Sequence, residues 1–70
     1  MKNETIDAKL EKQLYSRINE TGEIPTLIVM HPHTWYEMKI SDFDSFDRVF
    51  YKGVKVLRSS DVPVGLFEVR

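Results

Sequence analysis

The fold is decided by the stretch Thr26-Leu27-Ile28-Val29-Met30, which runs directly into His31-Pro32-His33-Thr34-Trp35. Its four consecutive apolar residues lie between Pro25 and Pro32. Such a run is too short for a globular helix and is typical of a strand that is covered on both faces. We therefore predict that Leu27 to Met30 form the central strand of a sheet and that the rest of the chain covers this strand.

The composition is that of a single small globular domain spanning residues 1–70. Apolar residues make up 41% and charged residues 30% of the chain, which is ordinary for such a domain. A chain of this length hides only about 60% of the surface that its unfolded form exposes, so we expect a thin core. The net charge of -1 provides no sequence-wide attraction to nucleic acid or to an anionic membrane. The lack of cysteine excludes disulfides, thiolate catalysis and cysteine-based zinc sites.

The first residues of the sequence do not lead into an apolar segment like that of a signal peptide. Met1-Lys2-Asn3-Glu4 leads into a polar helix pattern, and no apolar run approaches the length that spans a membrane. We therefore expect an intracellular, cytoplasmic protein without a membrane partner.

Before the central strand, an apolar stripe predicts a long amphipathic helix. The residues of the stripe recur every four positions, and charged or polar residues lie between them. Thr5 is suited to cap the start of this helix and Gly22 its end. The predicted helix extends from about Ile6 to Thr21 and packs across one face of the sheet. The stripe consists of Ile6, Leu10, Leu14 and Ile18.

After the central strand, Thr34-Trp35-Tyr36-Glu37 matches the capping-box pattern. In this pattern the threonine hydroxyl and the glutamate carboxylate both accept hydrogen bonds from free amides at a helix start. The sequence thus predicts a second, short helix that begins at Thr34 and ends near Ile40. Trp35 and Met38 are three residues apart, so they are expected to face inward together.

The remaining chain alternates between turns and short strands. Residues 41–47 form an acidic turn region, with Phe43 and Phe46 as its anchors. Residues 48–51 and 54–58 are rich in β-branched and aromatic side chains and are separated by Lys52-Gly53. They predict either a hairpin or a single strand with a bulge. Residues 59–65 are a loop by composition, and residues 66–69 form a closing strand.

These elements define an α+β fold. We predict a small mixed or antiparallel sheet with one long N-terminal helix packed on it and a short second helix. The predicted core consists of Ile6, Leu10, Leu14, Ile18, Leu27, Val29, Trp35, Met38, Phe50, Val54, Val56 and Phe67.

The polar residues do not form a recognisable active site. His31 and His33 diverge around Pro32 and lack an obvious third metal ligand other than the acids of residues 42–47. Those aspartates lack the glycine and the distant glutamate of a calcium loop, so turn and capping roles are expected for them. No G-x-S-x-G elbow surrounds the serines. We therefore expect neither catalytic residues, nor a metal, nor a cofactor.

A few basic residues leave nucleic-acid binding open as a third hypothesis. Lys52, Lys55 and Arg58, with Tyr51 nearby, could form a small basic strand face. The simpler interpretation is a solvated strand face that also protects a sheet edge. Nucleic-acid binding is accordingly the least favoured of the three functions considered.

The order of features along residues 6–69 resembles the axial domain of the major capsid proteins of tailed phages and of the related encapsulins. The shared order is a helix that ends near a glycine, an apolar strand that enters a Pro-x-x-Trp helix start, and a Gly-x-x-Val strand followed by Ser and Val-Pro-x-Gly. The matching positions are Pro32, Trp35, Gly53, Val56, Ser59, Val62, Pro63, Gly65 and Val69.

The departures from that pattern limit what the resemblance implies. His31 stands where these proteins often have asparagine, and Lys55 where they often have proline. The N-terminal arm, long spine helix and extended loop that join capsid subunits have no counterpart here, so we expect no closed shell built by that route. The resemblance implies a miniature phage- or prophage-related relative that packs against copies of itself or against capsid subunits, in the host cytoplasm or on a virion.

Two protein-binding functions are therefore predicted. The first is a phage-related structural or assembly protein, with a homo-oligomer or a capsid subunit as partner. The alternative is a small regulatory or inhibitory module that binds a host or phage protein through an exposed face. Because aromatic side chains dominate interface energetics, we expect its anchors to be aromatic. The predicted anchors are Tyr36, Phe43, Phe46 and Tyr51.

Overall fold

Residues 5–70 are described by the computed structural model; the tetrapeptide at residues 1–4 lies outside the described residues. The described chain contains two helices, one 3-10 helical turn and four strands. In chain order these are α1 (Ile6–Thr21), β1 (Leu27–Met30), α2 (Pro32–Glu37), the 3-10 turn (Ile40–Asp42), β2 (Phe50–Tyr51), β3 (Val54–Arg58) and β4 (Phe67–Val69). Within these residues, neither helix has the length and apolar character needed to cross a membrane.

The strands form one mixed sheet in the order β2-β3-β1-β4. β1 pairs in parallel with β3, with Ile28 opposite Val56, and antiparallel with β4, with Ile28 also opposite Val69. β2 and β3 form an antiparallel pair at one side of the sheet. The prediction of an α+β fold with an interior strand at Leu27–Met30 is therefore confirmed.

Helix α1 has the bounds that the sequence predicts, because both of its ends are capped. The Thr5 hydroxyl accepts a hydrogen bond from the Ala8 amide at 3.1 Å. At the other end Gly22 takes a left-handed conformation (φ 72°), which costs a glycine little, and its amide donates to the Ile18 carbonyl at 2.7 Å. The caps satisfy backbone groups that the helix itself leaves unpaired.

The core lies between α1 and one face of the sheet. Leu10 and Leu14 of α1 are buried against Ile28 and Met30 of β1, and both β1 side chains are fully enclosed. The predicted core residues that are buried are Leu10, Leu14, Val29, Met38, Val54 and Val56. Those that are partly buried and packed against the core are Ile6, Ile18, Trp35 and Phe67.

At two positions the residue that faces the core is the neighbour of the predicted one. On β1 the side chains that meet α1 are those of Ile28 and Met30, whereas Leu27 lies on the other face and is only partly buried. On β2 the prediction of a buried Phe50 is wrong, because Tyr51 is the enclosed residue and Phe50 is 43% exposed. Successive side chains of a strand point to opposite faces, so an error of one position exchanges inside and outside.

Lys52 and Gly53 form the turn of a hairpin, which decides between the two predicted alternatives. Both residues have positive φ, 48° and 82°, as a two-residue type I′ turn requires. The turn pairs Tyr51 with Val54 and directs both side chains toward α1. The preceding strand is shorter than predicted, because Arg48 has φ 60° and interrupts the extended backbone.

Helix α2 begins earlier and ends earlier than predicted. It starts at Pro32 and ends at Glu37, and the Nδ1 atom of His31 caps it by accepting from the His33 amide at 3.0 Å. The prediction of a capping box at Thr34 is wrong: Thr34 lies within the helix, is fully buried, and accepts from the Gly65 amide at 2.8 Å. Proline suits the first turn of a helix because its missing amide hydrogen is not needed there, which explains the earlier start.

Tyr51→Phe should reduce the free energy of unfolding by about 1 to 2 kcal/mol. The Tyr51 hydroxyl donates to the Asp7 carboxylate at 2.6 Å, so the substitution removes a bond between the hairpin and the first turn of α1. It also leaves the carboxylate without that donor. Urea unfolding followed by circular dichroism measures the change. Tyr36→Phe, at an exposed position, is the matched control and should change stability little; equal stabilities of the two variants would contradict this account.

Candidate protein-binding surfaces

Helix α1 packs on one face of the sheet only. Helix α1 packs on the face that carries Ile28, Met30, Val54, Val56 and Tyr51. Because side chains alternate along each strand, the opposite face carries the other strand residues. We call it the open face; it consists of Leu27, Val29, Phe50, Lys55, Leu57 and Glu68.

The open face carries two large apolar side chains that are partly exposed, with charged residues beside them, while Val29 at its centre is buried. Phe50 is 43% and Leu57 47% exposed, although both are large apolar residues on strands. Lys55 lies in register with Leu27 and Phe50, while Glu68 lies on β4 and forms an ion pair with Arg70 at 2.8 Å. Exposed apolar surface with charged residues around it is characteristic of protein-interaction sites. The open face therefore has the composition of a docking surface.

Two of the four predicted aromatic anchors lie on the surface. Phe46 is 94% exposed and Tyr36 75% exposed. Phe46 projects beside a shallow cavity of about 240 Å³, whose lining includes Ile40 and Phe43. The prediction that Phe46 anchors the turn internally is wrong, and only Phe43 performs that role. Partner binding by Phe46 and Tyr36 stays a prediction.

The other two aromatic residues belong to the core. Phe43 is buried, and its ring meets that of Tyr51 edge to face with 6.4 Å between the ring centroids. Tyr51 is fully enclosed, and the pKa of its hydroxyl is raised by burial and by the hydrogen bond to Asp7. The prediction that Phe43 and Tyr51 lie on an exposed face is therefore wrong. Their contribution is to hold the turn region and the hairpin against α1.

Trp35 stacks with two arginines that come from different parts of the chain. The Cζ atoms of Arg58 and Arg48 lie 4.4 and 5.0 Å from the centroid of the Trp35 ring. The indole Nε1 also donates to the Arg48 carbonyl at 3.0 Å. Within residues 5–70 neither guanidinium forms an ion pair with a carboxylate. No local sequence signal indicates this cluster, because its three residues come from α2, from the segment before β2 and from the end of β3.

The basic residues that suggested nucleic-acid binding do not form one surface. Lys52 lies 4.0 Å from the Glu11 carboxylate and above the Tyr51 ring. Arg58 is stacked on Trp35, whereas Lys55 points to the open face. The predicted basic strand face is therefore not brought together in the structure.

The aspartates of the turn region cap backbone amides, as predicted. Asp44 accepts from the Gly53 amide at 2.6 Å and so ties the turn region to the hairpin. Asp47 accepts from the Ser45 hydroxyl and from the Val49 amide at 3.2 Å. These hydrogen bonds stabilise the charged carboxylate and hold the pKa of Asp47 below its ordinary value.

The two histidines have structural partners in α2. His31 caps the helix, and His33 Nε2 lies 2.9 Å from the Glu37 carboxylate one turn later. Over residues 5–70, no group of three or more histidine or acidic side chains is arranged to hold a metal ion.

Comparison with known proteins provides no relative: no family model matches the sequence, and no curated protein or solved structure matches it significantly. The resemblance to the axial domain of phage capsid proteins therefore stays a prediction.

Trp35→Ala should lower the free energy of unfolding by about 3 kcal/mol, at the low end of the range for aromatic truncations because the ring is only partly buried. The change removes the ring's packing against the core, its stacking with two arginines and its hydrogen bond to Arg48. Urea unfolding measures the loss. Tyr36→Ala, one residue later and exposed, is the control and should be nearly neutral; an unchanged transition for Trp35→Ala would contradict the placement.

Proposed function

We propose that this protein is a small phage- or prophage-related assembly protein that acts through protein-protein contacts on its open face and has no catalytic activity. The observation that carries the proposal is the partial exposure of two large apolar side chains on the open face, Phe50 and Leu57, each of which is almost half exposed. A sheet face of this kind gains free energy when a partner removes it from water.

Burial of these two side chains would supply a part of the binding free energy. Burying the remaining surface of Phe50 and Leu57 contributes on the order of 1 kcal/mol for each side chain. Their strands pair with neighbours on both sides or end in a tight turn, so little conformational entropy is lost when they bind. Lys55 and Glu68 place opposite charges on the same face, which can fix the orientation of a partner.

The class of partner is proposed from the resemblance. The order of helix, strand, Pro-x-x-Trp helix start and Val-Pro-x-Gly segment is similar to that of phage capsid axial domains, which work by packing against neighbouring subunits. The expected α+β architecture with an interior strand is present here. A capsid subunit is therefore the partner that we propose for the open face.

Replacing Phe50 and Leu57 together by threonine should reduce binding to the capsid subunit at least tenfold while the fold is retained. Threonine keeps a high strand preference but removes most of the apolar surface. The measurement is co-purification and titration with the major capsid protein and scaffold protein encoded beside the gene. Val64→Thr is the matched control, because Val64 is an equally exposed apolar residue that lies in a loop.

Several outcomes would overturn the proposal. One is the absence of virion structural genes beside this gene. Another is that the unsubstituted protein does not bind the capsid or scaffold protein. A third is that the Phe50 and Leu57 variant binds as tightly as the Val64 control.

A second candidate function is regulation or inhibition of a host enzyme, and the exposure of Phe46 favours it. A phenylalanine that is 94% exposed on a turn held by Asp44 and Asp47 is suited to insert into a partner's pocket. Its place beside a shallow cavity allows a partner side chain to pack against the same segment.

Phe46→Ala should abolish capture of a defined host enzyme from lysate if the second function is correct, and should not change the melting temperature. Tyr15→Ala is the control, because Tyr15 is also a half-exposed aromatic residue but lies on α1. Capture that is unaffected by Phe46→Ala, or equally reduced by both substitutions, would contradict this function.

A further inference from the structure

The sheet has one edge whose outward backbone groups are not paired within residues 5–70. At the β2 edge, the Asp44 amide donates to the Phe50 carbonyl at 2.8 Å, so the turn region covers part of that edge. At the opposite edge lies β4 (Phe67–Val69), with β1 on its inner side. β4 contains no proline, so each of its residues keeps an amide hydrogen, and its one charged residue, Glu68, is paired with Arg70.

The hydrogen-bond pattern identifies which groups of β4 face outward. Arg70 and Leu27 exchange both backbone hydrogen bonds, at 2.8 and 3.3 Å. In an antiparallel pair such residues alternate with residues whose amide and carbonyl groups point away from the partner strand. The backbone groups of Phe67 and Val69 therefore point away from β1, and within residues 5–70 no other segment lies beside them to pair with them.

A shallow groove accompanies this edge on the side of α1. Helix α1 packs over β4, and between them lies a groove of about 210 Å³. The side chains of Phe67 and Val69, both partly buried, form its apolar part. Its polar part comes from one side of α1 and consists of Gln13, Ser16, Arg17 and Glu20. Neither Arg17 nor Glu20 forms an ion pair within the part of the chain that the structure describes.

We propose that β4 and this side of α1 form a twofold interface between two copies of the chain. The β4 strands pair antiparallel, with Phe67 of each copy opposite Val69 of the other, so that every outward backbone group of these residues is used. The two sheets become one continuous sheet. Because α1 lies over β4, the two α1 helices then lie side by side and antiparallel.

The charges on α1 favour a second copy over an unrelated strand. Arg17 and Glu20 are both in the groove and lie three residues apart on α1, so two antiparallel copies of this side of the helix can place Arg17 of one copy opposite Glu20 of the other. The same surface is thus complementary to itself, as a twofold interface requires. Gln13 and Ser16 are uncharged and present no obstacle to the close approach of the helices.

On the sheet face away from α1, the charges at the proposed interface balance each other. In this register Glu68 of one copy lies opposite Glu68 of the other, which alone would be unfavourable. Each Glu68 already has Arg70 as an ion-pair partner at 2.8 Å, and the two pairs meet near the axis with alternating charges. The interface shares Glu68 with the open face but does not use Phe50 or Leu57, so this proposal does not depend on the proposed function.

The test is the mass of the protein in solution, measured by light scattering over a range of concentrations. The expected mass is twice that of the 8.2 kDa chain at high concentration, with dissociation on dilution. Val69→Pro removes an outward amide hydrogen and should abolish the dimer, because the ring also blocks the approach of the second strand. The proline should be compatible with the monomer fold, since that amide is not used in pairing with β1.

A charge exchange provides an independent test that does not alter the strand. Either Arg17→Glu or Glu20→Arg alone places two like charges opposite each other, and the twofold symmetry repeats this contact. Each single substitution should therefore raise the dissociation constant of the dimer about tenfold. The double substitution Arg17→Glu with Glu20→Arg should restore dimerisation. Thermal unfolding of each variant at low concentration verifies the monomer fold.

The results that would overturn the proposal are specific to this interface. A mass equal to one chain at all concentrations would do so, as would a dimer that persists in Val69→Pro. A double charge exchange that dissociates more than either single one would also contradict it. The Phe50 and Leu57 variant should still dimerise, because neither residue lies in this interface. Its capsid binding tests the proposed function, and its mass in solution tests the dimer.

Discussion

The structure depends on how much of its sheet a 70-residue chain can cover. β1 (Leu27–Met30) is held between a parallel and an antiparallel neighbour, so its backbone groups are paired on both sides. The chain supplies one long helix, α1, and this helix buries the face that carries Ile28 and Met30. The other face is not covered by α1, and two of its large apolar side chains, Phe50 and Leu57, remain almost half exposed. The open face and the thin core are therefore two consequences of the same constraint, because a small chain has a high ratio of surface to volume.

The elements with a regular and local signal could be predicted from the sequence. α1 has an apolar residue every four positions and suitable caps at Thr5 and Gly22, so both of its bounds agree with the structure. β1 is predicted correctly because its apolar run is too short for a helix. Which side of β1 meets α1 could not be predicted, since four apolar residues in succession contain no alternation. The same ambiguity explains why Phe50 was predicted to be buried in place of Tyr51, since two neighbouring aromatic residues are equally suited to a core.

The candidate surfaces were less predictable, because they depend on contacts between distant residues. Tyr51 is fixed by Asp7, which is far from it in the sequence, and Trp35 by Arg48 and Arg58. Composition identifies aromatic residues but does not distinguish a ring that packs inside, such as Tyr51, from one that projects outward, such as Phe46. The capping-box pattern at Thr34 was misleading for a similar reason. Pro32 sets the helix start, and the Thr34 hydroxyl is needed by the Gly65 amide in a loop far along the chain.

The two proposed surfaces, the open face and the β4 edge, would act together in the proposed assembly function. A twofold axis that joins two β4 strands runs normal to the sheet, so it leaves both open faces on the same side of the continuous sheet. Two copies would then present two equivalent apolar patches, each centred on Phe50 and Leu57, to a single partner surface. A surface built from repeated subunits, as a capsid is, can engage both patches at once, and the second contact then forms at a high effective concentration. A chain whose single patch is too small for tight binding gains affinity in this way without any new contact.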